Sequence, residues 1–229
     1  MKSKKTMLIC LVAVLALAMM GFGFAKWSDS VKFEGKVATG NVGVNIQALG
    51  TNDEGPDPNC GEGDNWEGKD VASCDMWTEC GKTVKLHIKN AYPWYAPCFT
   101  FRINGLGTVP VKVEDVKLTN WSGELGKFIV MSGWEIHVVN PASHGLPAED
   151  RTINPSKGGY PANWQGLAEA LKYIQLHKGG YIDVSVCMYI QEDIYECGKK
   201  KTAPQNASSI GKIKIDVAQW NEVGPSPAQ

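Results

Sequence analysis

The sequence lacks the short motifs on which most enzyme chemistry depends. It contains no H-E-x-x-H pair for a catalytic zinc, no G-x-S-x-G nucleophile elbow and no phosphate-binding loop. The histidines His87, His137, His144 and His177 are scattered, and His87 and His137 fall in strand-like stretches, where a polar-face histidine is the ordinary reading. No cofactor and no metal centre is implied. There is no basic surplus either: 23 Lys and Arg stand against 24 Asp and Glu, so the electrostatic footprint of a nucleic-acid binder is missing. Beyond the N-terminus no second long apolar run exists, and no membrane-embedded body is expected.

What is present starts with that single run. "MKSKK" is basic, and "TMLICLVAVLALAMMGFGF" is apolar and ends in small residues. With Gly23 and Ala25 at the −3 and −1 places, residues 1–25 match a secretory signal peptide. The competing reading is an uncleaved membrane anchor. Removing Lys2, Lys4 and Lys5 leaves 20 basic residues against 24 acidic, a formal net charge of −4.

Of seven cysteines, Cys10 leaves with the leader. Cys60, Cys74, Cys80, Cys98, Cys187 and Cys197 remain. An even number in an exported chain predicts three disulfides that use all six, with the pairing open and a weak preference for the local pair Cys74–Cys80. A metal site from Cys60, Cys74 and Cys80 is disfavoured, because no C-x-x-C spacing occurs.

Abundant glycine (25 residues), sparse leucine and many short Val/Ile runs favour an all-β sandwich over a helical bundle. Residues 27–37 alternate, with Trp27, Val31, Phe33 and Val37 on one face and Ser28, Ser30, Lys32, Glu34 and Lys36 on the other. After Thr39–Asn41 the phase flips to Val42, Val44 and Ile46, so 26–38 is a strand-like unit that can swing independently. Residues 49–81 lack periodicity and read as a long disulfide-stapled loop insertion. Its carboxylates (Asp53, Glu54, Asp57, Glu62, Asp64, Glu67 and Asp70) match no calcium-loop pattern and read as a solvated acidic surface. The runs around Phe99, Phe101 and Ile103 and around Val109, Val111 and Val113 flank a Gly-rich turn and predict a β-hairpin.

Further strands are expected at 114–118, 128–140, 181–190 and 210–220. Cys187 falls on the face opposite Val184 and Val186. Phe99, Phe101, Val111, Val184, Val186, Ile213 and Ile215 are the expected interior. A helix over 163–179, capped by Asn163 and stopped at Gly179, should cover one end or edge. Asn120 ("NWS") and Asn206 ("NAS") are N-glycosylation acceptors in form.

"FAKWSDSVKFEGKVATGNVGV" resembles the start of the TasA/camelysin family of exported fibre-forming proteins, which are related to archaeal bundling pili. The family has an aromatic-x-Asp near the cleavage point, here Trp27-Ser28-Asp29, followed by a "tG-x-v-x-v" strand, here Gly40 to Ile46. The resemblance extends to "NAYPWYAPCFTFRINGLGTVPVKVEDVKL" (90–118) and to "KIDVAQWNEV" (214–223), about a third of the chain. It implies a jelly-roll-like β-sandwich over 39–223, with one or two short helices and a tail at 224–229. It also implies that 26–38 is a donor strand completing the sheet of a neighbour. The partner would be the chain itself, in an extracellular filament of a biofilm matrix, with other matrix or cell-surface components as further partners. Camelysin-like members are described as surface metalloproteases, a reading this sequence departs from for want of a paired-histidine motif. The remaining reading is a monomeric secreted or cell-surface β-sandwich that acts as a binding module.

Overall fold

A computed structural model describes residues 2–21, 40–58, 68–119, 121–143, 146–172 and 174–221. The chain forms two units, Met1–Thr39 and Gly40–Gln229. In the first, helix α1 (Lys2–Gly21) carries most of the N-terminal apolar run. No helix among the described residues is long and apolar enough to cross a membrane. The alternating segment 26–38, with Trp27, Val31, Phe33 and Val37, lies outside the described residues.

The second unit is built from strands. In chain order these are β1 (Val44–Thr51), β2 (Ser73–Glu79), β3 (Thr83–Ala91), β4 (Cys98–Gly105), β5 (Val111–Thr119), β6 (Ile129–Asn140), β7 (Glu149–Ile153), β8 (Gln175–Leu176), β9 (Tyr181–Ile190), β10 (Asp193–Glu196), β11 (Lys199–Thr202) and β12 (Ala207–Gln219). A 3₁₀ turn (Leu125–Phe128) and helices α2 (Pro155–Gly158) and α3 (Trp164–Leu171) complete it. One five-stranded sheet has the order β1-β4-β9-β6-β7, the other β2-β3-β12-β5-β8, and β10–β11 is a separate hairpin. The fold is thus an all-β sandwich with short helices, as expected.

Period-two burial drives it. Along β9, Ile182, Val184, Val186, Met188 and Ile190 are fully buried while Tyr181, Asp183, Ser185, Cys187 and Tyr189 stay half-exposed. Phe99, Phe101 and Ile103 of β4, Val84, Leu86 and Ile88 of β3, and Ile213 and Ile215 of β12 fill the same interior. Each contributes about 1.5–3 kcal/mol on burial. All seven expected interior residues are in this core. Gly211 interrupts the apolar row of β12 for a steric reason: a Cβ there would lie 2.7 Å from the Trp121 ring.

Four expectations are corrected. First, β4 and β5 are not a hairpin, because they belong to opposite sheets and Gly105–Pro110 is a corner between them. Two alternating runs around a glycine turn look the same in sequence in either case. Second, α3 ends at Leu171 rather than running to Gly179. Lys172 turns to extended backbone (ψ 130°), and Gln175–Leu176 pair with β5 instead. The Asn163 cap holds, with its side chain accepting from the Gly166 amide at 2.9 Å.

Third, the expected loop 49–81 includes the end of β1 and all of β2. Fourth, Cys74 and Cys80 do not pair, since they sit at opposite ends of β2. Six residue steps of strand span about 20 Å, far beyond the Cα separation a disulfide tolerates.

Among the described residues a disulfide joins Cys98 and Cys187, directly opposed on the outer face of β4 and β9. It closes a sequence separation of 89 residues. Replacing both cysteines by serine should leave the far-ultraviolet circular dichroism of a β protein unchanged. It should lower the unfolding free energy in guanidinium by about 2–4 kcal/mol, because it releases that loop in the unfolded chain.

Candidate subunit interface

The two sheets end differently on their two sides. On one side β1 and β2 are tied together by main-chain and side-chain bonds. The Ile46 amide donates to Gly81 O (2.8 Å), the Thr51 hydroxyl donates to Cys74 O (3.2 Å), and the Cys74 amide donates to Asp53 Oδ2 (2.8 Å). On the other side the edges are only partly paired. β8 covers β5 at Val111 and Lys112 alone, and β7 covers β6 from Ile136 to Asn140. Among the described residues, no strand pairs with the outer edge of β5 from Val113 to Thr119 or of β6 from Ile129 to Glu135.

Helix α3 fills the gap between these edges. Its buried face (Leu167, Ala170 and Leu171) packs into the core. Between α3 and β5 lies a groove of about 530 Å³ lined by Val116, Lys117, Ala168, Glu169, Lys172 and Asp216, among others. Val116 and Leu118 are half-buried against the core, so the open edge has an apolar stripe beneath it. Unpaired strand edges over apolar surface are sites of strand addition.

The chain enters this unit beside the β4–β5 corner. The Asn41 amide donates to Thr108 Oγ1 (2.8 Å), and the Leu106 and Gly107 amides donate to Gly43 O (2.9 and 3.0 Å). A Cβ on Gly107 would come within 2.4 Å of Asn41 O, so glycine is required for this approach. Ile46 is buried and Val44 half-buried, as the second strand phase predicts, whereas Val42 precedes the strand and is exposed.

The loop that follows β1 is clasped by two aspartates. Asp57 is 8% exposed. Its Oδ2 accepts from the amides of Val71 (2.9 Å) and Ala72 (3.1 Å) and from the Tyr92 hydroxyl (2.9 Å). Asp53 Oδ2 accepts from the Tyr95 hydroxyl (2.8 Å) as well as from the Cys74 amide. Asp53 and Asp57 are therefore interior acceptors, not part of a solvated acidic surface. Glu54 and Asp70 are exposed, as expected.

Sequence reading missed the clasp because its donors, Tyr92 and Tyr95, are distant in sequence. Burial, followed by the hydrogen bonds to Asp57 and Asp53, pushes the Tyr92 and Tyr95 hydroxyls above their ordinary range. Burial, reinforced by the nearby Asp53 and Asp75 charges, pushes the Cys74 thiol up to about 12.

The remaining expected site residues are dispersed. Cys60 and Asn120 lie outside the described residues. Asn206 sits at an exposed turn with φ 54°. The expectation that all six cysteines are oxidised is corrected: Cys80 and Cys197 are exposed free thiols and Cys74 a buried one. No group of three or more His, Cys, Asp or Glu among the described residues could hold a metal ion. No family model, no curated protein and no solved structure matches the chain.

Two outcomes are expected. Asp57→Ala strands two amides and a buried hydroxyl at once and should lower stability by roughly 2–5 kcal/mol in urea unfolding. Asp57→Asn, which keeps an acceptor oxygen, should cost less. The raised Cys74, Tyr92 and Tyr95 groups hold their protons more tightly in the folded state than in the unfolded one. Their contribution is therefore complete below about pH 9 and is lost as pH rises from 9 towards 12. Urea midpoints measured across that range should fall less steeply for Cys74→Ala than for the parent.

Proposed function

We propose that this protein is a structural, non-catalytic subunit of an extracellular filament, assembled head to tail by strand donation between copies of itself. The observation that carries this reading is the pair of partly unpaired edges on one side of the sandwich, β5 from Val113 to Thr119 and β6 from Ile129 to Glu135. In this reading residues 26–38 of one subunit lie along such an edge of the next. Main-chain N–H and C=O groups supply the pairing, and Trp27, Val31, Phe33 and Val37 cover the apolar stripe that includes Val116 and Leu118. A contact between unlike surfaces does not close on itself and so propagates into a fibre.

Two sequence features support the reading: the leader ahead of the alternating segment and the phase break at Thr39–Asn41. The Cys98–Cys187 disulfide suits an oxidising location outside the cytosol. No nucleic acid and, after leader cleavage, no membrane enters this assembly.

Deleting residues 26–38 should give a folded monomer on size-exclusion chromatography that forms no fibres under negative-stain microscopy. A peptide of those residues should bind the truncated protein and cap growing fibres. Phe33→Asp and Val116→Asp should each abolish assembly, since each buries an unpaired carboxylate at the contact. Lys32→Asp, on the opposite face of the segment, should assemble normally. Fibres of unchanged appearance from the truncated protein would show that 26–38 is merely the first strand of its own sheet, and a monomeric binding module would become the better reading.

A further inference from the structure

One four-residue segment occurs twice in the chain. Glu79-Cys80-Gly81-Lys82 joins β2 to β3, and Glu196-Cys197-Gly198-Lys199 joins β10 to β11. The two turns also share a backbone. Cys80 and Cys197 both have φ 52°, followed by Gly81 at 61° and Gly198 at 76°. Two successive positive φ values make the primed hairpin turn, whose first position is ordinarily Asn, Asp or Gly. Here each turn instead puts a thiol at its tip, and both thiols are exposed and free.

The two tips lie at opposite poles of the sandwich. Gly81 O receives the amide of Ile46, which is level with Ile103 of β4 and Ile182 of β9. Cys197 lies beyond the far end of β9. Gln191, just past Ile190, bonds Phe128 O, and Glu196 beside the thiol pairs with Lys127 at 3.3 Å. From Ile182 to Ile190 the strand covers about 26 Å, so the two sulfurs of one molecule cannot meet. Cys74 cannot serve either partner, being buried with its thiol held protonated.

We infer that Cys80 of one copy and Cys197 of the next form a disulfide that locks the chain of subunits end to end. The inference rests on head-to-tail assembly, which brings opposite poles of successive copies together. Two E-C-G-K turns meeting in antiparallel fashion also place Glu79 against Lys199 and Lys82 against Glu196. The oxidant is a disulfide donor. The Cys80 thiolate attacks it, forms a mixed disulfide and releases one thiol. The Cys197 thiolate of the neighbour then attacks the Cys80 sulfur and expels the second thiol. Two protons and two electrons leave the protein, and the donor becomes a dithiol, or two thiols in the case of oxidised glutathione.

Protein reduced and then treated with oxidised glutathione should give a ladder of covalent multimers on non-reducing electrophoresis, collapsing to monomer with dithiothreitol. Cys80→Ser and Cys197→Ser should each stay monomeric alone. Their mixture should give dimers and nothing larger, because each variant supplies the thiol the other lacks. Mass spectrometry of a ¹⁴N/¹⁵N mixture should find the Cys80 and Cys197 peptides joined between differently labelled chains. A wild-type protein that gives no ladder, with fibres or without, overturns the linkage. Dimers from either single variant alone, or Cys80 joined to Cys60 of the same chain, also overturn it. Microscopy of the same samples keeps the two readings apart: fibres without a ladder sink only the cross-link, whereas absent fibres count against the assembly.

Discussion

The body of this protein depends on the register between β4 and β9. At each step along that pair both faces are matched. Inside, Phe99 meets Val186, Phe101 meets Val184 and Ile103 meets Ile182. Outside, the opposed residues are bonded in sequence. Cys98 is joined to Cys187, the Thr100 and Ser185 hydroxyls share a hydrogen bond at 2.9 Å, and Arg102 grips Asp183 with two bonds of 2.6 and 2.7 Å. The Arg102 guanidinium also lies over the Tyr181 ring at 3.8 Å. A slip of one residue would expose the phenylalanines and separate every outer pair at once. β1, β6 and β7 extend this pair, and the second sheet packs on its inner face.

The same period-two logic explains what the sequence discloses. Strands with a clean alternation, above all β4, β9 and the centre of β12, could be read directly, and so could their inward residues, because burial on one face is the rule that shapes them. β2 could not. Its inward positions are Cys74, Met76 and Thr78, with Trp77 pointing out, so a strand is disguised as part of an acidic loop. The end of α3 was also hidden. Ile174 continues the apolar row of the helix by position, yet the core takes it, with Leu176, from a segment outside the helix. In both cases tertiary packing overrides a local pattern.

The prospective interface divides in the same way. The phase break after Val37 can be seen in the sequence, but an open edge cannot, because edges are a property of strand order. β5 becomes an edge strand only because Gly105–Pro110 carries the chain to the other sheet and β8 is two residues long. The Asp53 and Asp57 clasp was equally unreadable. A buried carboxylate and a solvated one look alike until the tyrosines that donate to them are placed.

In the proposed filament the outer-face disulfide would also govern how a subunit yields under load. Tension transmitted along the strand direction loads β4 and β9 together. The Cys98–Cys187 bond spans a sequence separation of 89. At the ~3.3–3.6 Å that each residue spans when fully extended, about 300 Å of contour is withheld from any subunit that opens. Only the segments before Cys98 and after Cys187 can pay out. A stretched subunit would stop short with its central strands still clamped, held in a form from which the rest of the sandwich could repack once the load is removed.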